Sequence, residues 1–307
     1  MNFQQLRIVR ETVRQNFNLT EVGNALFTAQ SGVSKHLKDL EDELGVELFV
    51  RKGKRLIGLT SPGKELLQIV ERILLDTQNL KQVAEHFSKR DEGQLIIATT
   101  HTQARYVLPS VVTRFKAEFP KVQLVLHQAS PEEIVKQLAS GEADIGIATE
   151  ALDNVPELTS LPYYSWHHTV IVPKGHELTG KTPLTLEALA KFPIVTYHEG
   201  FTGRACINRS FVHAGIEPDI VMTALDSDVI KAYVELGLGI GITASVAFNP
   251  ERDHGLEAIH AEHLFEANTT RLAIRTGHYL RAFAYRFIEL CSPELALPAV
   301  KARLENN

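Results

Sequence analysis

The spacing of apolar residues changes once along this chain, and the change separates two kinds of structure. Before the polar stretch at residues 88–93, apolar residues recur every three or four positions, as in helices that bury one face. After that stretch, short apolar runs alternate with helical segments, which is typical of α/β units with mostly parallel sheets. Because the chain has 307 residues, we predict several units: an N-terminal helical one, then α/β lobes.

Residues 1–60 have the pattern of a DNA-binding unit. A first helix opens the chain, a second follows the capping signal at Asn18 and extends to about Phe27, and a third ends at Gly45. Residues 47–60 have the pattern of a hairpin with a basic tip. Two short helices, a tight turn and a basic hairpin predict a winged helix-turn-helix, whose recognition helix enters the major groove.

The exposed polar residues of the third helix and the hairpin have side chains suited to DNA. Glutamine pairs with adenine, lysine with guanine, and serine with a base or a phosphate, whereas hairpin cations contact phosphates without reading sequence. We expect a DNA-binding set made of Gln30, Ser31, Ser34, Lys35, Lys38, Arg51, Lys52, Lys54 and Arg55. On the pattern alone, a solvated amphipathic helix beside a basic loop remains open.

A long helix follows the hairpin. Ser61 and Pro62 suit a helix start, and apolar residues continue at helical spacing to Phe87, so we expect a linker and dimerisation helix within residues 61–92. Residues 1–90 hold 14 Lys+Arg against 11 Asp+Glu, while the whole chain has 32 against 37. This split favours a polyanion partner for the N-terminal part, although so small an excess also fits an ordinary solvated surface.

Composition excludes several other classes of protein. The chain is 44% hydrophobic and 22% charged, as globular proteins are, and it has no apolar run long enough to span a membrane. Its N-terminus lacks the apolar core of a secretory signal. Cys206 and Cys291 cannot form a disulfide framework. We therefore expect a cytoplasmic protein without a membrane partner.

The N-terminal segment also carries a recognisable set of residues. The matching positions are Ala25, Leu26, Gln30 to Ser34, Leu40, Glu41, Leu44, Gly45, Leu48, Phe49, Arg51, Leu59, Thr60 and Gly63. In type and spacing they resemble the N-terminal signature of LysR-type transcriptional regulators. Gly23 stands where alanine is common and Ser31 where proline is common; a serine there can cap the helix.

The resemblance implies promoter DNA as a partner and a second half similar to periplasmic binding proteins. Two α/β lobes joined by crossover strands would then hold a ligand in the cleft between them. We expect an effector-binding domain at residues 93–295, with lobe I at about 93–163 and 266–295 and lobe II at about 164–265. The last residues, 292–307, are interpreted as a short surface extension.

The stretch from Ile97 to Tyr106, IATTHTQARY, concentrates polar residues where a strand ends and a helix begins. Backbone N–H groups and the helix dipole favour an anion at such a point, and hydroxyl and amide groups add donors without charge. Thr149 ends another strand, and Thr202 follows a third. Taken alone, however, a threonine-rich strand end is more typical of a helix cap than of a ligand site.

A narrower resemblance covers about residues 1–290. The stretches IATTHTQARY, IATEAL, VTY, GFTGR, DVIKAYV and LGLGIGI resemble CysB-type regulators of sulfur assimilation and cysteine biosynthesis. This implies a small anionic effector, acetylserine or a sulfate-like oxyanion, bound by Thr100, Thr102, Gln103, Thr149 and Thr202. Less direct cleft residues would be Ser130, Tyr164 and Trp166. The resemblance also implies a homotetramer that engages RNA polymerase.

Two other classes of function stay open on the residues. A free solute-binding protein would share the lobes, but the absent signal and the basic N-terminal segment argue against it. An enzyme would use His101 or Cys206, yet no base or third group can be assigned beside them. The glycines at 237–241 lack the third glycine of a dinucleotide loop, and Trp166 to His168 lack metal-ligand spacing. We expect no catalytic residue, cofactor or metal.

Overall fold

The computed structural model describes residues 1–53, 55–88, 92–180, 183–295 and 300, except for the side chains of residues 85–88. The chain divides into two compact units, Met1–Glu85 and His86–Asn307, called here the N-terminal unit and the effector unit. Among the described residues, no helix combines the length and apolar character that crossing a membrane requires.

The N-terminal unit consists of three short helices, a hairpin and the start of a long helix. In chain order its elements are α1 Phe3–Arg14, α2 Leu19–Ala25, α3 Gln30–Leu44, β1 Phe49–Lys52, β2 Arg55–Leu59 and α4 Ser61–Ser88. Strands β1 and β2 pair antiparallel. The predicted winged helix-turn-helix is therefore confirmed, including the hairpin.

The helix ends of this unit follow local chemistry, with one difference from expectation. The Asn18 side chain accepts hydrogen bonds from the backbone N–H groups of Thr20 and Glu21, which starts α2, and α2 ends at Ala25 rather than near Phe27. Helix α3 begins at Gln30 after Ala29, without a side-chain cap. Ser31 therefore lies inside the helix, and the prediction that it caps the helix was wrong.

Two glycines allow close backbone contacts in the N-terminal unit. A Cβ at Gly23 would lie 2.5 Å from the carbonyl oxygen of Thr28, in the turn before α3. A Cβ at Gly63 would lie 2.0 Å from the carbonyl oxygen of Leu48. Glycine at 23, where alanine is expected, thus lets α2 pack tightly on the turn, and Gly63 lets α4 begin against the hairpin.

Helix α4 belongs to the N-terminal unit over most of its described length. Val70, Leu74 and Leu75 are buried, whereas Leu80 is 71% exposed. The first turns thus complete the core of the unit, and the apolar residue further along remains uncovered. That the exposed part pairs with a second copy remains a prediction.

The effector unit contains two five-stranded sheets. In chain order the strands are β3 Gly93–Thr99, β4 Val122–Gln128, β5 Ile145–Ala148, β6 Leu158–Trp166, β7 His168–Pro173, β8 Ile194–Tyr197, β9 Ile220–Ala224, β10 Ile240–Ala244, β11 Leu256–His260 and β12 Asn268–Arg275. The first sheet has the order β4-β3-β5-β12-β6, and the second has the order β11-β7-β10-β8-β9. We call the part built on the first sheet lobe I and the part built on the second sheet lobe II.

The helices cover these sheets. They are a π-helical segment at Gln103–Val107, α5 Leu108–Glu118, α6 Pro131–Ser140, α7 Leu186–Leu189, α8 Arg204–Ala214, α9 Ser227–Glu235 and α10 Ala282–Cys291. Separate apolar cores form in the two lobes, for example around Phe115 and Phe287 in lobe I and around Ile194 and Phe211 in lobe II.

The sheets are mixed, so the expectation of mostly parallel sheets was wrong. Strand β3 is parallel to β4 and β5, but β12 is antiparallel to β5 and β6. In the second sheet, β8 is parallel to β9 and β10, while β7 is antiparallel to β10 and β11. Strands β6 and β11 had no clear signal in the sequence. Both are edge strands, and β6 contains Pro162, which an edge strand tolerates.

The chain passes from lobe I to lobe II through a very short connection. Only His167 separates the end of β6 from the start of β7, and residues 261–267 carry the chain back from β11 to β12. Strand β6 spans both sides of residue 163, the predicted limit of lobe I; that limit stays a prediction.

Part of the C-terminal segment packs on lobe I. Leu295 and Val300 are buried in the lobe I core. The interpretation of 292–307 as a surface extension is therefore wrong for these two residues. Residues 296–299 and 301–307 lie outside the described residues.

Candidate functional site

Helix α3 has one buried face and one polar face. Val33, Leu37 and Leu40 are buried in the core of the N-terminal unit. On the other side, Ser34 is half-buried, and the exposed residues are Gln30, Ser31, Lys35 and Lys38. The Gln30 side-chain amide donates to Ser34 Oγ at 3.3 Å, one helical turn away. These residues form one continuous polar surface of the kind that reads base edges.

The hairpin supplies cations with different environments. Lys52 and Arg55 are exposed and lie opposite each other across the strands. Arg51 Nη2 instead lies 2.6 Å from Glu41 Oε2, and the other oxygen of Glu41 accepts the N–H groups of Leu48 and Phe49. Arg51 therefore ties the hairpin to α3, and its phosphate contact stays a prediction. Lys54 lies outside the described residues.

Phe27 is an exposed aromatic residue of the N-terminal unit that was not singled out from the sequence. It lies in the turn between α2 and α3, is 98% exposed and has a backbone φ of 51°. A fully exposed aromatic side chain with a left-handed backbone is unusual in a helix-turn-helix turn. Because an apolar residue fits the buried end of a helix, the sequence pattern predicted Phe27 as the end of α2 and not as an exposed turn residue.

In the effector unit, the polar stretch after β3 turns inward. Thr100 is 6% exposed, and Thr102 and Gln103 are 1% exposed. Gln103 begins the π-helical segment, in which the Leu108 N–H donates to the Gln103 carbonyl oxygen, one residue further than in an α-helix. Thr102 Oγ1 is buried and has no hydrogen-bond partner among the described residues.

Thr270 on β12 connects the predicted lobe I residues, although it was not predicted as a site residue. Its hydroxyl lies 3.3 Å from the Gln103 side-chain nitrogen, 3.3 Å from Thr149 Oγ1 and 3.0 Å from Trp166 Nε1. Tyr164 donates its hydroxyl to Gln103 Oε1 at 2.9 Å. Strand register explains the gathering, because Thr270 lies opposite Tyr164 in the sheet.

Ser130, also predicted to line the cleft, has a structural task. Its hydroxyl and the Glu133 side chain cap the start of α6 reciprocally, with Ser130 Oγ 2.9 Å from Glu133 Oε2. Its hydrogen-bonding capacity is thus largely used within its own helix turn. Any contact of Ser130 with an effector remains a prediction.

Thr202 lies in the turn that starts α8 in lobe II. It is 3% exposed and has a backbone φ of 42°, and Gly203, the N-cap of α8, also has a positive φ of 72°. The Thr202 carbonyl oxygen lies 3.3 Å from His168 Nε2. Burial lowers the pKa of His168 to about 4, so the ring is neutral near pH 7, and its Nε2–H donates to this carbonyl.

One bond joins the two lobes beside the predicted effector residues. The backbone N–H of Gly203 donates to Oε1 of Glu150, the residue that follows Thr149. Thr149 precedes Glu150 in the chain, and Thr202 precedes Gly203. One predicted effector residue of each lobe is therefore adjacent in sequence to this contact.

A second contact between the lobes forms around Asp228 at the start of α9. His101 Nε2 lies 3.1 Å from one oxygen, Tyr106 donates to the other at 2.5 Å, and Arg105 Nε lies at 3.4 Å. Burial raises the pKa of Asp228, but the hydrogen bonds from Tyr106 and His101 outweigh it and lower the pKa to about 2. Asp228 is therefore ionised and holds the π-helical segment from the opposite lobe.

Neither arginine near the cleft supplies a free cation to it. Arg105 is engaged with Asp228, and Arg204 donates to the carbonyl oxygen of Tyr197 and to Asn208 Oδ1. His101, Asp226 and Asp228 lie close enough together to hold a metal ion. However, Asp226 caps α9 by accepting the Val229 N–H, and Lys231 lies 3.4 Å from Asp228. These carboxylates thus already contact a cation or accept an N–H group of the chain.

The helix-turn-helix with its exposed third helix, followed by a two-lobed α/β unit, indicates the class of this protein: a DNA-binding regulator with a ligand-binding domain. Comparison with protein families gives the same result. Residues 3–64 match the bacterial regulatory helix-turn-helix protein model of the lysR family, and residues 88–296 match the LysR substrate binding domain. The chain belongs to the LysR family of transcriptional regulators, which are not enzymes.

Similar proteins cover nearly the whole chain. The HTH-type transcriptional regulator SsuR of Burkholderia cenocepacia is 60% identical over 295 residues, 96% of each chain. The HTH-type transcriptional regulator CysB of the same organism is 51% identical over 305 residues, 99% of this chain and 97% of that one. The crystal structure of the cofactor-binding domain of the Cbl transcriptional regulator is 47% identical, has a TM-score of 0.68 and covers 70% of this chain and 95% of that one.

Proposed function

We propose that this regulator controls genes of sulfur assimilation and cysteine biosynthesis in response to a small anion bound between the lobes. The effector is an acetylserine carboxylate or a sulfate-like oxyanion, held by Thr100, Thr102, Gln103, Thr149 and Thr202. The resemblance to CysB-type regulators supports the gene set, as do the matches to SsuR and CysB over nearly the full chain.

One observation carries the proposal for the cleft. Thr102 Oγ1 is buried and has no partner among the residues that the structure describes; it lies immediately before Gln103, whose amide joins the hydroxyl cluster around Thr270. A buried hydroxyl without a hydrogen bond costs about 1–3 kcal/mol. An anion that accepts this hydrogen bond removes the cost, and neutral donors can hold an anion reversibly without a permanent ion pair.

The proposed action links the cleft to DNA. Two N-terminal units bind promoter half-sites, and α4 sets their spacing within a cytoplasmic homotetramer. Binding of the effector favours one arrangement of the lobes, which changes how the N-terminal units lie on DNA and how they engage RNA polymerase. The division into 1–60, 61–92 and 93–295 and the DNA-binding set on α3 and the hairpin belong to this proposal.

Calorimetry on two single variants tests the cleft. Thr100→Val and Thr202→Val each keep the shape of the side chain and remove one hydroxyl, one from each lobe. We expect each to weaken binding of N-acetylserine or sulfate by about 5- to 150-fold, corresponding to roughly 1–3 kcal/mol.

Thr113→Val is the matched control. Thr113 is exposed on α5, and its hydroxyl donates to the Pro109 carbonyl oxygen of its own helix. This variant should bind both ligands as the wild type does. Equal affinity of Thr100→Val, Thr202→Val and the wild type for every ligand that binds would contradict the proposed cleft.

A further inference from the structure

Glu150 is a carboxylate that lies where the two lobes meet. It follows Thr149 at the end of β5, and its Oε1 accepts the backbone N–H of Gly203 in the turn that carries Thr202. The N–H of Thr202 also bonds this carboxylate. Backbone N–H groups at the start of a helix such as α8 are the groups that favour an anion. In this structure, the group that accepts these N–H bonds is the Glu150 side chain of the protein itself.

The second oxygen of Glu150 is left without a partner. Glu150 Oε2 is buried and makes no hydrogen bond among the described residues. A buried carboxylate oxygen strongly favours a donor, because the cost of losing water is otherwise uncompensated. Thr102 Oγ1, on another predicted effector residue, is likewise buried and makes no hydrogen bond within the described part of the chain. One unpaired acceptor and one unpaired hydroxyl therefore accompany the proposed effector residues.

The ionisable groups of lobe II beside Glu150 do not neutralise it. On β7, His168 is neutral near pH 7, as described above. On α8, burial raises the pKa of the Cys206 thiol, so it too is uncharged, and Arg204 donates to the Tyr197 carbonyl oxygen and to Asn208. No group of this lobe among those named gives Glu150 a cationic partner.

The remaining cations nearby are paired with other acids. Arg209, one turn into α8, lies 2.9 Å from Glu266 Oε2. Arg271 on β12 pairs in register with Ala148 of β5 and lies 2.9 Å from Asp153 Oδ2. Burial without a cation raises the pKa of Glu150 to about 7, although the N–H bonds from Gly203 and Thr202 oppose this.

We propose that Glu150 determines which anions the cleft accepts, by requiring a proton between its free oxygen and the ligand. This inference rests on the proposed effector cleft and names the ligand chemistry that the cleft selects. An anion that carries its own N–H or O–H donor, such as N-acetylserine, supplies that proton. A donor-free dianion such as sulfate binds only when Glu150 itself is protonated.

The requirement predicts opposite pH behaviour for the two ligands. Neither sulfate nor the carboxylate of N-acetylserine titrates between pH 6.5 and 8.5. Sulfate binding takes up a proton at Glu150, so its affinity should fall by about twentyfold from pH 6.5 to pH 8.5 for a pKa of about 7. N-acetylserine donates to the ionised carboxylate, so its affinity should instead rise about fourfold over the same range.

Calorimetry on the full chain tests this with Glu150→Gln. Glutamine keeps an oxygen for the Gly203 N–H but presents an amide donor where the free carboxylate oxygen was. We expect sulfate to bind this variant with the same affinity at both pH values, and more tightly than wild type at pH 8.5. N-acetylserine should bind about tenfold more weakly, since its donor loses a charged acceptor. Glu157→Gln, at an exposed position of lobe I, should behave as wild type.

The outcomes separate this inference from the proposed cleft. If wild-type sulfate affinity is constant over this pH range while Thr100→Val weakens both ligands, the cleft stands and the role of Glu150 is overturned. If Thr100→Val weakens neither ligand, or neither binds the wild type, the cleft itself fails and takes this inference with it. Should Glu150→Gln not fold, proton uptake by the wild type decides: calorimetry at pH 8 in two buffers of different ionisation enthalpy should detect uptake with sulfate and none with N-acetylserine.

Discussion

The two units present their polar residues in opposite ways. On α3, Lys35 and Lys38 are exposed and point away from the core of the N-terminal unit. In the effector unit, Thr102, Gln103 and Thr270 are buried. Gln103 and Thr270 bond each other, whereas the Thr102 hydroxyl has no partner in the described ranges of the chain. A long polyanion can be met by an open charged surface, whereas a small anion must be enclosed to be distinguished from others. The difference in burial therefore fits the sizes of the two partners proposed above, DNA and a small anion.

The largest expected effect tests the open surface. Lys35→Ala combined with Lys38→Ala removes two cations from α3 and should weaken operator binding about 100-fold or more, since each base or phosphate contact is worth about 1–3 kcal/mol. Effector affinity should not change. Gel shifts and calorimetry on the same preparation measure both. Lys64→Ala, an exposed lysine on α4, is the control; an equal loss in that variant would mean that charge alone, and not the α3 surface, sets the affinity.

A smaller effect tests the enclosed cluster. Thr270→Val leaves the Gln103 amide and Trp166 Nε1 without their acceptor, at a cost of about 1–3 kcal/mol for a buried donor. We expect effector affinity to fall about tenfold to thirtyfold and the melting temperature to drop, with operator affinity in the absence of effector unchanged. Thr269→Val, the neighbouring position with a hydroxyl that contacts Ser165, should change neither. Unaltered effector binding in Thr270→Val would remove Thr270 from the site.

The smallest effect concerns Arg51, a partly exposed residue of the hairpin that pairs with a buried one. Arg51 is predicted to contact DNA but is ion-paired with the buried Glu41 carboxylate. Arg51→Ala should therefore reduce the free energy of unfolding of the N-terminal unit by about 1 kcal/mol, a low figure because the Arg51 side chain is 39% exposed. Lys52→Ala should leave stability unchanged. Chemical denaturation followed by circular dichroism distinguishes them, and equal stability of both variants would make Arg51 purely a DNA ligand.

Local chemistry made much of the fold predictable. The cap at Asn18, the hairpin and the helical spacing of α4 each depend on residues close together in sequence, and each was predicted correctly. Strand β6 was not predicted, because its polar residues and Pro162 do not alternate as in a half-buried strand. Its pairing with β12, about 100 residues later in the chain, is what defines it. The cap assigned to Ser31 failed because Ala29 starts the helix without one.

The site was harder to predict for the same physical reason. Thr100, Thr102 and Gln103 stand in one short stretch and were named from the sequence through a family resemblance; their contact with an effector stays a prediction. Thr270 lies 167 residues from its partner Gln103, and Asp228 lies 127 residues from His101. Threonine on a strand and aspartate at a helix start are common, so only the folded chain gives these two a special position.

The single residue between β6 and β7 limits how lobe II can move against lobe I. His167 and the return segment at residues 261–267 are the two chain crossings between the sheets. Two crossings define an axis, so we expect lobe II to move against lobe I by hinge rotation about that axis. Trp166, bonded to Thr270, is the residue next to the first crossing. A small shift of the Trp166 indole would act close to the rotation axis. The resulting displacement of lobe II would be larger at the far edge of the second sheet, because displacement grows with distance from the axis.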